Sequence, residues 1–277
     1  MQKKRVIVKI GSNSLTHKMT GHVDYIKIDR LVRELCDLKN RGMDVCLVSS
    51  GAIAVGRQSL GIMERPDTVS KKQALASVGQ ASLMSIYQRA FSEYNQRCSQ
   101  VLLTKYTFIN KVTRVNARNT FDELFDMDVI PIVNENDTIS TDEIQFGDND
   151  TLSAIVAALT GADLLILLSD IDGLYTADPK KNKDAVLVKD VKEIDKKLME
   201  MGSGEPGSDV GTGGMATKLK AAKIATKSGA DMIIANGEDV AILHHIFEDN
   251  FVGTTFHAAH DEHFDMVALL EKGNEND

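Results

Sequence analysis

Six carboxylate side chains are crowded into residues 134–150, a segment that contains no lysine or arginine. An apolar run, 129–133, precedes this segment, and a helix-like run, 152–159, follows it. Acids packed this densely repel one another unless a cation lies among them. That cation could be a metal ion, an amine substrate or lysines from elsewhere in the chain. The six acids are Glu135, Asp137, Asp142, Glu143, Asp148 and Asp150.

Two of these aspartates flank Asn149 directly before the predicted helix. One of them could simply cap the helix or complement its dipole. A single cap explains neither the second aspartate nor Asp137 upstream, so the pattern favours a functional site.

Lys9 and Ser50 mark two further places where an anion could bind. Lys9 interrupts the apolar run 6–10, where a lysine is costly unless it is paired or binds an anion. The alternative is a lysine on an edge strand whose ammonium group reaches solvent. Ser50 and Gly51 open a helix and could offer backbone N–H groups, although a serine there more often caps the helix. Gly11 would let the backbone approach a phosphate closely.

A glycine-rich segment, 201–214, is predicted to be a mobile loop. It leads into GTGGMATK, residues 211–218, which formally matches the dinucleotide fingerprint G-x-G-x-x-A. Because no strand precedes the match, a Rossmann site is not indicated, and the chain contains no Walker A loop. A glycine-rich loop ending in Thr217 and Lys218 at a helix start still suits the phosphates of a nucleotide.

These residues must be positioned by short apolar runs that alternate with longer helical patterns. Most of the runs are continuously apolar, as expected of strands covered on both faces. The order predicts a mostly parallel sheet with helices on both faces, an α/β fold. Ligands bind beyond the carboxyl ends of such strands, where the polar residues described above and Ser169-Asp170 would meet. The predicted strands are 5–10, 45–48, 100–103, 130–133, 164–168 and 232–235.

Apolar residues at helical spacing predict two amphipathic helices, and an alanine-rich stretch, 219–227, predicts a third that stops at Ser228-Gly229. The two apolar stripes are Ile28, Leu31, Val32, Leu35 and Leu38, and Val112, Val115, Phe121, Leu124 and Phe125.

The net charge of -8 and the pI near 5.4 argue against a general nucleic-acid binder, which needs a basic face. No apolar run approaches the length of a membrane span. The three cysteines lack metal-ligand spacing and are expected to be reduced thiols of a cytoplasmic protein.

Eight motifs in the chain resemble the amino acid kinase superfamily, and within it the glutamate 5-kinases of proline biosynthesis. The resemblance runs in order over nearly all of the sequence. The motifs are VKIGSNSLT (8–16), VSSGAIAVGR (48–57), ALASVGQASLM (74–84), NARNTF (116–121), IPIVNENDTI (130–139), FGDNDTLSA (146–154), DGLYTADP (172–179) and GTGGMATKLKAA (211–222).

This resemblance implies ATP-dependent phosphorylation of the γ-carboxylate of L-glutamate by a three-layer αβα sandwich. Lys9 and Lys218 would act catalytically on the phosphates, and Asp150 would hold the two lysines. Mg²⁺ would arrive with ATP, without a dedicated protein metal site. Glutamate is expected at Ser50, Gly51, Asn134, Asp137, Asp148 and Asn149. ATP is expected at Lys9, Gly11, Ser169, Asp170, Thr212, Gly213, Gly214, Met215, Ala216, Thr217 and Lys218.

The resemblance also implies a homodimer or homotetramer, feedback inhibition by proline, and no nucleic-acid or membrane partner. The kinase domain is expected over 1–262, followed by a C-terminal extension, 263–277, without the PUA domain that many members carry. One alternative is a kinase of aspartate or carbamate, against which NENDTI followed by GDND argues. The other is a non-catalytic amino-acid sensor, which would not need Lys9, Asp150 and Lys218 together.

Overall fold

The apolar runs of the sequence form the strands of one sheet in a computed structural model. The structure describes residues 4–140, 148–179, 181–196, 198–199 and 214–272. Within these ranges the strands are β1 (Arg5–Ile10), β2 (Asp44–Val48), β3 (Cys98–Leu103), β4 (Ile130–Glu135), β5 (Leu164–Ser169), β6 (Asp190–Val191), β7 (Asp231–Asn236) and β8 (Gly253–Phe256).

The strands pair in the order β3-β4-β2-β1-β5-β7-β8-β6. Five neighbouring pairs from β3 to β7 are parallel, and so is the pair of β8 with β6. The β7–β8 pair is antiparallel, so β8 and β6 run opposite to the other six strands. β1 therefore lies in the middle of the sheet, where both of its neighbours are parallel to it.

Helices cover both faces of this sheet. Successive residues of β1 point to opposite sides, so Ile7 joins one core cluster while Val6 and Val8 join the other. The predicted three-layer αβα sandwich is therefore confirmed. The helices are α1 (Ser12–Leu15), α2 (Tyr25–Asn40), α3 (Ala52–Ser59), α4 (Val69–Glu93), α5 (Lys105–Ile109), α6 (Lys111–Asp126), α7 (Asn149–Thr160), α8 (Met215–Lys227), α9 (Ile242–Phe247) and α10 (Met266–Lys272).

Of the two predicted apolar stripes, the one in α2 is buried throughout and the one in α6 is buried only in part. Every member of the α2 stripe is buried, and Asp24 caps that helix by accepting a hydrogen bond from the Lys27 N–H. In α6 the stripe was partly wrong, because Val112 and Val115 are 67% and 48% exposed. Of that helix only Phe121 and Phe125 are fully buried, so the two valines near its start do not lie in the core.

Two strands, β6 and β8, were missed by the sequence analysis. β6 has two residues, and β8 reads GTTF, so neither presents an apolar run. The interpretation of Lys9 as an edge-strand lysine is wrong, because β1 is a central strand. The predicted mobile loop, 201–214, lies almost entirely outside the described residues. Among the helices that the structure describes, none is long and apolar enough to cross a membrane.

Candidate active site

A cluster of one carboxylate and two ammonium groups occupies the carboxyl edge of the sheet. Lys9 Nζ lies 2.5 Å from Asp150 Oδ1, and Lys218 Nζ donates a hydrogen bond of 3.0 Å to Asp150 Oδ2. The three side chains are 12%, 2% and 5% exposed for Lys9, Asp150 and Lys218. The contact between Lys9 and Asp150 is a close ion pair. One carboxylate thus bridges two lysines that are distant in sequence.

Three elements bring this cluster together. Lys9 is the penultimate residue of β1, in register with Val48 of β2 and Leu167 of β5. Asp150 lies in the first turn of α7, and Lys218 lies in the first turn of α8. Helix starts carry unpaired N–H groups and a positive dipole end, so two of them at one strand edge form an environment that favours anions.

The protonation of Asp150 follows from this arrangement. Burial would raise the pKa of Asp150, but the charges of Lys9 and Lys218 outweigh burial and lower its pKa below the ordinary value. The carboxylate therefore stays ionised near neutral pH. The carboxylate also offsets part of the repulsion between the two ammonium groups. Without Asp150, that repulsion would be offset only once a phosphate had bound.

A set of amide and hydroxyl groups lies beside the lysine cluster. Asn149 Nδ2 lies 2.7 Å from Ser50 Oγ and 2.8 Å from the backbone oxygen of Ser49, and both distances fit hydrogen bonds. It also lies 3.1 Å from Asn134 Oδ1. Gly51 begins α3 with a φ of 98°, a left-handed conformation that favours glycine. The alternative in which Ser50 caps α3 is wrong, because Gly51 holds the N-cap position and no side chain caps the helix.

Asp148 and Asp137 are carboxylates in partly buried surroundings. Asp148 caps α7, accepting hydrogen bonds from the Thr151 N–H (2.7 Å) and hydroxyl (3.0 Å). Burial, with a smaller contribution from Asp150, raises the pKa of Asp148. Burial also raises the pKa of Asp137, which lines a small cavity with Gln80, Glu135 and neighbouring residues.

Glu135, one of the six clustered acids, ends β4 as a buried residue. Strand β4 runs two residues further than predicted, so Asn134 and Glu135 belong to the strand and not to a loop. Asp142 and Glu143 lie outside the described residues.

Most of the residues expected at ATP lie at the carboxyl end of β5 and at the start of α8, and Lys9 and Gly11 lie at the end of β1. Ser169 ends β5, and its hydroxyl donates to Asp170 Oδ1 at 3.2 Å. Gly214 is the N-cap of α8 and accepts a hydrogen bond of 2.7 Å from the Thr217 hydroxyl. Met215 and Ala216 form the first turn with Thr217 and Lys218, whereas Thr212 and Gly213 lie outside the described residues. Gly11 begins α1, and a side chain there would lie 3.6 Å from Lys9 Nζ.

Gln80 of α4 was missed by the sequence analysis. Its Oε1 accepts a hydrogen bond of 3.0 Å from Asn134 Nδ2 in a buried environment. Gln80 lies in the motif ALASVGQASLM, but a glutamine inside a helical pattern carries no signal by itself. Only the contact between α4 and β4 reveals it.

A family model described as "Amino acid kinase family" matches residues 4–236. The chain belongs to the amino acid kinase family. A glutamate 5-kinase from Clostridium tetani is 51% identical over 92% of this chain and 95% of its own length. One from Enterococcus faecalis is 46% identical over 92% of this chain and 95% of its own length. Another, from Carboxydothermus hydrogenoformans, is 50% identical over 92% of this chain but 68% of its own length.

Solved structures of two other kinases share the fold. An isopentenyl phosphate kinase substrate complex has a TM-score of 0.62 at 20% identity, covering 91% of this chain and 99% of that one. The UMP kinase from Ureaplasma parvum has a TM-score of 0.63 at 15% identity, covering 93% and 100%. At these identities the likeness concerns the fold alone. The kinase family and the relatives named glutamate 5-kinase confirm the resemblance stated from the motifs.

Proposed function

We propose that this kinase transfers the γ-phosphoryl group of ATP to the γ-carboxylate of L-glutamate, the first step of proline biosynthesis. The observation that carries the proposal is the buried bridge of Lys9, Asp150 and Lys218, set beside the amide groups of Asn134 and Asn149. The relatives named glutamate 5-kinase, about half identical over most of the chain, supply the substrate.

The reaction needs electrostatic help more than a general base. A carboxylate oxygen of glutamate is already a nucleophile near neutral pH. It forms a bond to the γ-phosphorus as the bond to the β,γ-bridging oxygen breaks and ADP leaves. Lys9 and Lys218 donate to the oxygens of the transferring phosphoryl group, whose charge is spread over them in the transition state. Asp150 holds both ammonium groups in place.

Glutamate binds at the β4 and α7 side of the bridge. The carboxylate of Asp137 pairs with the α-ammonium group of glutamate, which suits its partly buried position. The remaining contacts come from groups that surround the amide cluster, namely Ser50, Gly51, Asn134, Asp148 and Asn149.

ATP binds at the β5 and α8 side, against Ser169, Asp170, Gly11 and residues 212–218. Mg²⁺ prefers to keep several waters and to bind phosphate oxygens. Among the described residues, no group of three or more His, Cys, Asp or Glu side chains is placed to hold a metal ion. We infer that Mg²⁺ would enter with ATP and would neutralise phosphate charge when bound.

The proposal also covers the location, the oligomeric state, the inhibition and the domain bounds of this kinase. The kinase works in the cytoplasm as a homodimer or homotetramer, and proline inhibits it at or near the glutamate pocket. The kinase domain extends over 1–262 with a C-terminal extension after it. Within that extension, Leu270 of α10 packs in the same core cluster as α7 and α8.

A coupled assay of ADP release tests the proposal directly. Purified enzyme with MgATP is expected to turn over with L-glutamate and at least about 100-fold less efficiently with L-aspartate or carbamate, because a site built for one polar substrate rejects a misfit strongly. Proline is expected to raise the KM for glutamate. Turnover with aspartate or carbamate in place of glutamate would refute the substrate assignment.

A further inference from the structure

A buried chain of amide groups links three elements at the glutamate side of the site. Gln80 of α4 is 8% exposed and Asn134 of β4 is 2% exposed. The Asn134 Nδ2 group donates to Gln80 Oε1 at 3.0 Å, and Asn149 Nδ2 of α7 lies 3.1 Å from Asn134 Oδ1. Each amide therefore depends on the orientation of the next one.

Backbone groups fix the direction of this chain. The N–H of Glu135 can only donate, and it lies 2.9 Å from Asn134 Oδ1, so that oxygen must face it. Asn134 Nδ2 then points to Gln80, which must present Oε1 and not its amino group. At the other end, the backbone oxygen of Ser49 can only accept, so Asn149 must present Nδ2 to it.

A close helix crossing brings Gln80 to this position. Gly79, the preceding residue, packs against α3 so tightly that a Cβ atom there would lie 1.7 Å from the backbone oxygen of Ala52. Helix α4 can therefore approach the start of α3, next to Gly51, only because position 79 has no side chain. That approach carries Gln80 into reach of β4.

The orientation leaves two polar groups for a ligand. Among the described residues, nothing donates to Asn149 Oδ1 and nothing accepts from Gln80 Nε2. Gln80 also lines the small cavity that contains Asp137. The Asn149 amide oxygen can accept from the ammonium group of an amino acid, and a flipped Asn149 amide would present a donor in its place.

We propose that Gln80 is a positioning residue for the amino-acid substrate, which it serves by fixing the Asn134 and Asn149 amides. The inference rests on the proposed function, because glutamate is the ligand that the amides orient. Loss of the Gln80 acceptor leaves the buried Asn134 Nδ2 without this partner, so the Asn134 side chain is held at Oδ1 alone and its position against Asn149 is no longer fixed from both ends. Substrate affinity suffers, whereas the lysine bridge and the ATP side keep their contacts.

The experiment compares Gln80→Met and Gln80→Ala, which remove the acceptor with and without keeping the bulk, with wild-type enzyme. Both variants are expected to raise the KM for glutamate about 10-fold or more, as for a buried donor left unpaired. The kcat and the KM for ATP are expected to change less than about threefold, because the bridge lies outside the amide chain. Gln88→Met, the same change on the exposed face of α4, is expected to match wild type.

A second measurement separates positioning from a general structural effect. Calorimetric titration gives the affinity for glutamate of Gln80→Met in the wild-type and Asn149→Ala backgrounds. If Gln80 acts through the amides, its substitution has little further effect once Asn149 is lost. An equal loss in both backgrounds, an unchanged KM for glutamate, or an equal rise in the KM for ATP would overturn the inference. Wild-type enzyme without glutamate turnover would overturn the proposed function itself, and this inference with it.

Discussion

At the scale of single residues, Lys218 and Lys9 share one carboxylate but reach it from opposite ends of the chain. Lys218→Met keeps the aliphatic stem and removes the ammonium group, and we expect a fall in kcat of about 10²–10³-fold, as for loss of one preorganised donor. Steady-state kinetics with saturating substrates measure it. The KM for glutamate should change little, because Lys218 lies at the start of α8, where we propose that ATP binds.

Lys223→Met, at a partly exposed position five residues further along the same helix, provides the control for the loss of a positive charge. It should keep kcat within about threefold, since substitutions away from the core and the site have small effects. A Lys218→Met enzyme with wild-type kcat would contradict the role assigned to the bridge.

Asp137 combines the substrate contact proposed above with a cost in stability. Because burial raises its pKa in the folded protein, ionisation of Asp137 becomes less favourable on folding. Stability therefore falls as the pH rises from the unfolded pKa through the folded one. Asp137→Asn should raise the melting temperature at neutral pH and lose this advantage in acid, where the wild-type carboxyl is protonated.

The same substitution should raise the KM for glutamate about 10- to 100-fold, the effect of losing one hydrogen bond to a charged group. Thermal unfolding at several pH values and steady-state kinetics check the two halves separately. A lower melting temperature at neutral pH would contradict the argument from burial, and an unchanged KM would contradict the pairing with the α-ammonium group.

At the scale of elements, the sequence predicted what depends on apolar runs and missed what depends on contacts between them. All six predicted strands exist, with ends that shift by up to two residues. β6 and β8 could not be found, because pairing with a neighbour and not composition makes them strands. Gln80 escaped for the same reason, since its role exists only where α4 meets β4.

The crossing of α3 and α4 yields a prediction at this scale. A Cβ atom at Gly79 would lie 1.7 Å from the Ala52 oxygen, and one at Gly56 would lie 1.9 Å from the Leu75 oxygen. Gly79→Ala should therefore force the helices apart and destabilise the protein by about 1–3 kcal/mol, although alanine favours helix. Urea unfolding measures the loss.

Separation of the two helices would displace both Gly51 and Gln80 from their positions at the site. The KM for glutamate should therefore rise as well. Ser85→Ala, on the exposed face of α4, is the matched control and should be neutral or slightly stabilising. Equal stability of the Gly79→Ala and Ser85→Ala variants would show that the crossing tolerates a side chain.

At the scale of the whole molecule, the bridge ties together the first strand, a central helix and a helix near the end of the chain. Lys9 and Lys218 could be paired with Asp150 in advance only through the family resemblance, because nothing local in the sequence connects residues so far apart. The geometry adds that Asp150 is almost fully buried and contacts both ammonium groups. Formation of the site is therefore coupled to folding of the entire sheet.

This coupling predicts a pH dependence of global stability. The pKa of Asp150 is lowered because the two lysines outweigh burial, so its stabilising effect is present above the pKa of the unfolded chain. That effect is lost as the pH falls through the lower, folded pKa. Asp150→Asn removes the carboxylate charge that both ammonium groups contact and should cost about 3–5 kcal/mol at neutral pH.

Urea unfolding of wild type and Asp150→Asn between neutral pH and about pH 3 measures this difference, which should shrink towards acid as the wild-type carboxyl becomes protonated. Asp126→Asn, an exposed position on α6, controls for the loss of one carboxylate and should show little difference at any pH. A stability gap that stays constant down to the acid end would mean that the lysine bridge does not supply the stability assigned to it. Other contacts would then hold Lys9 and Lys218, and both lysines would keep their positions after loss of Asp150.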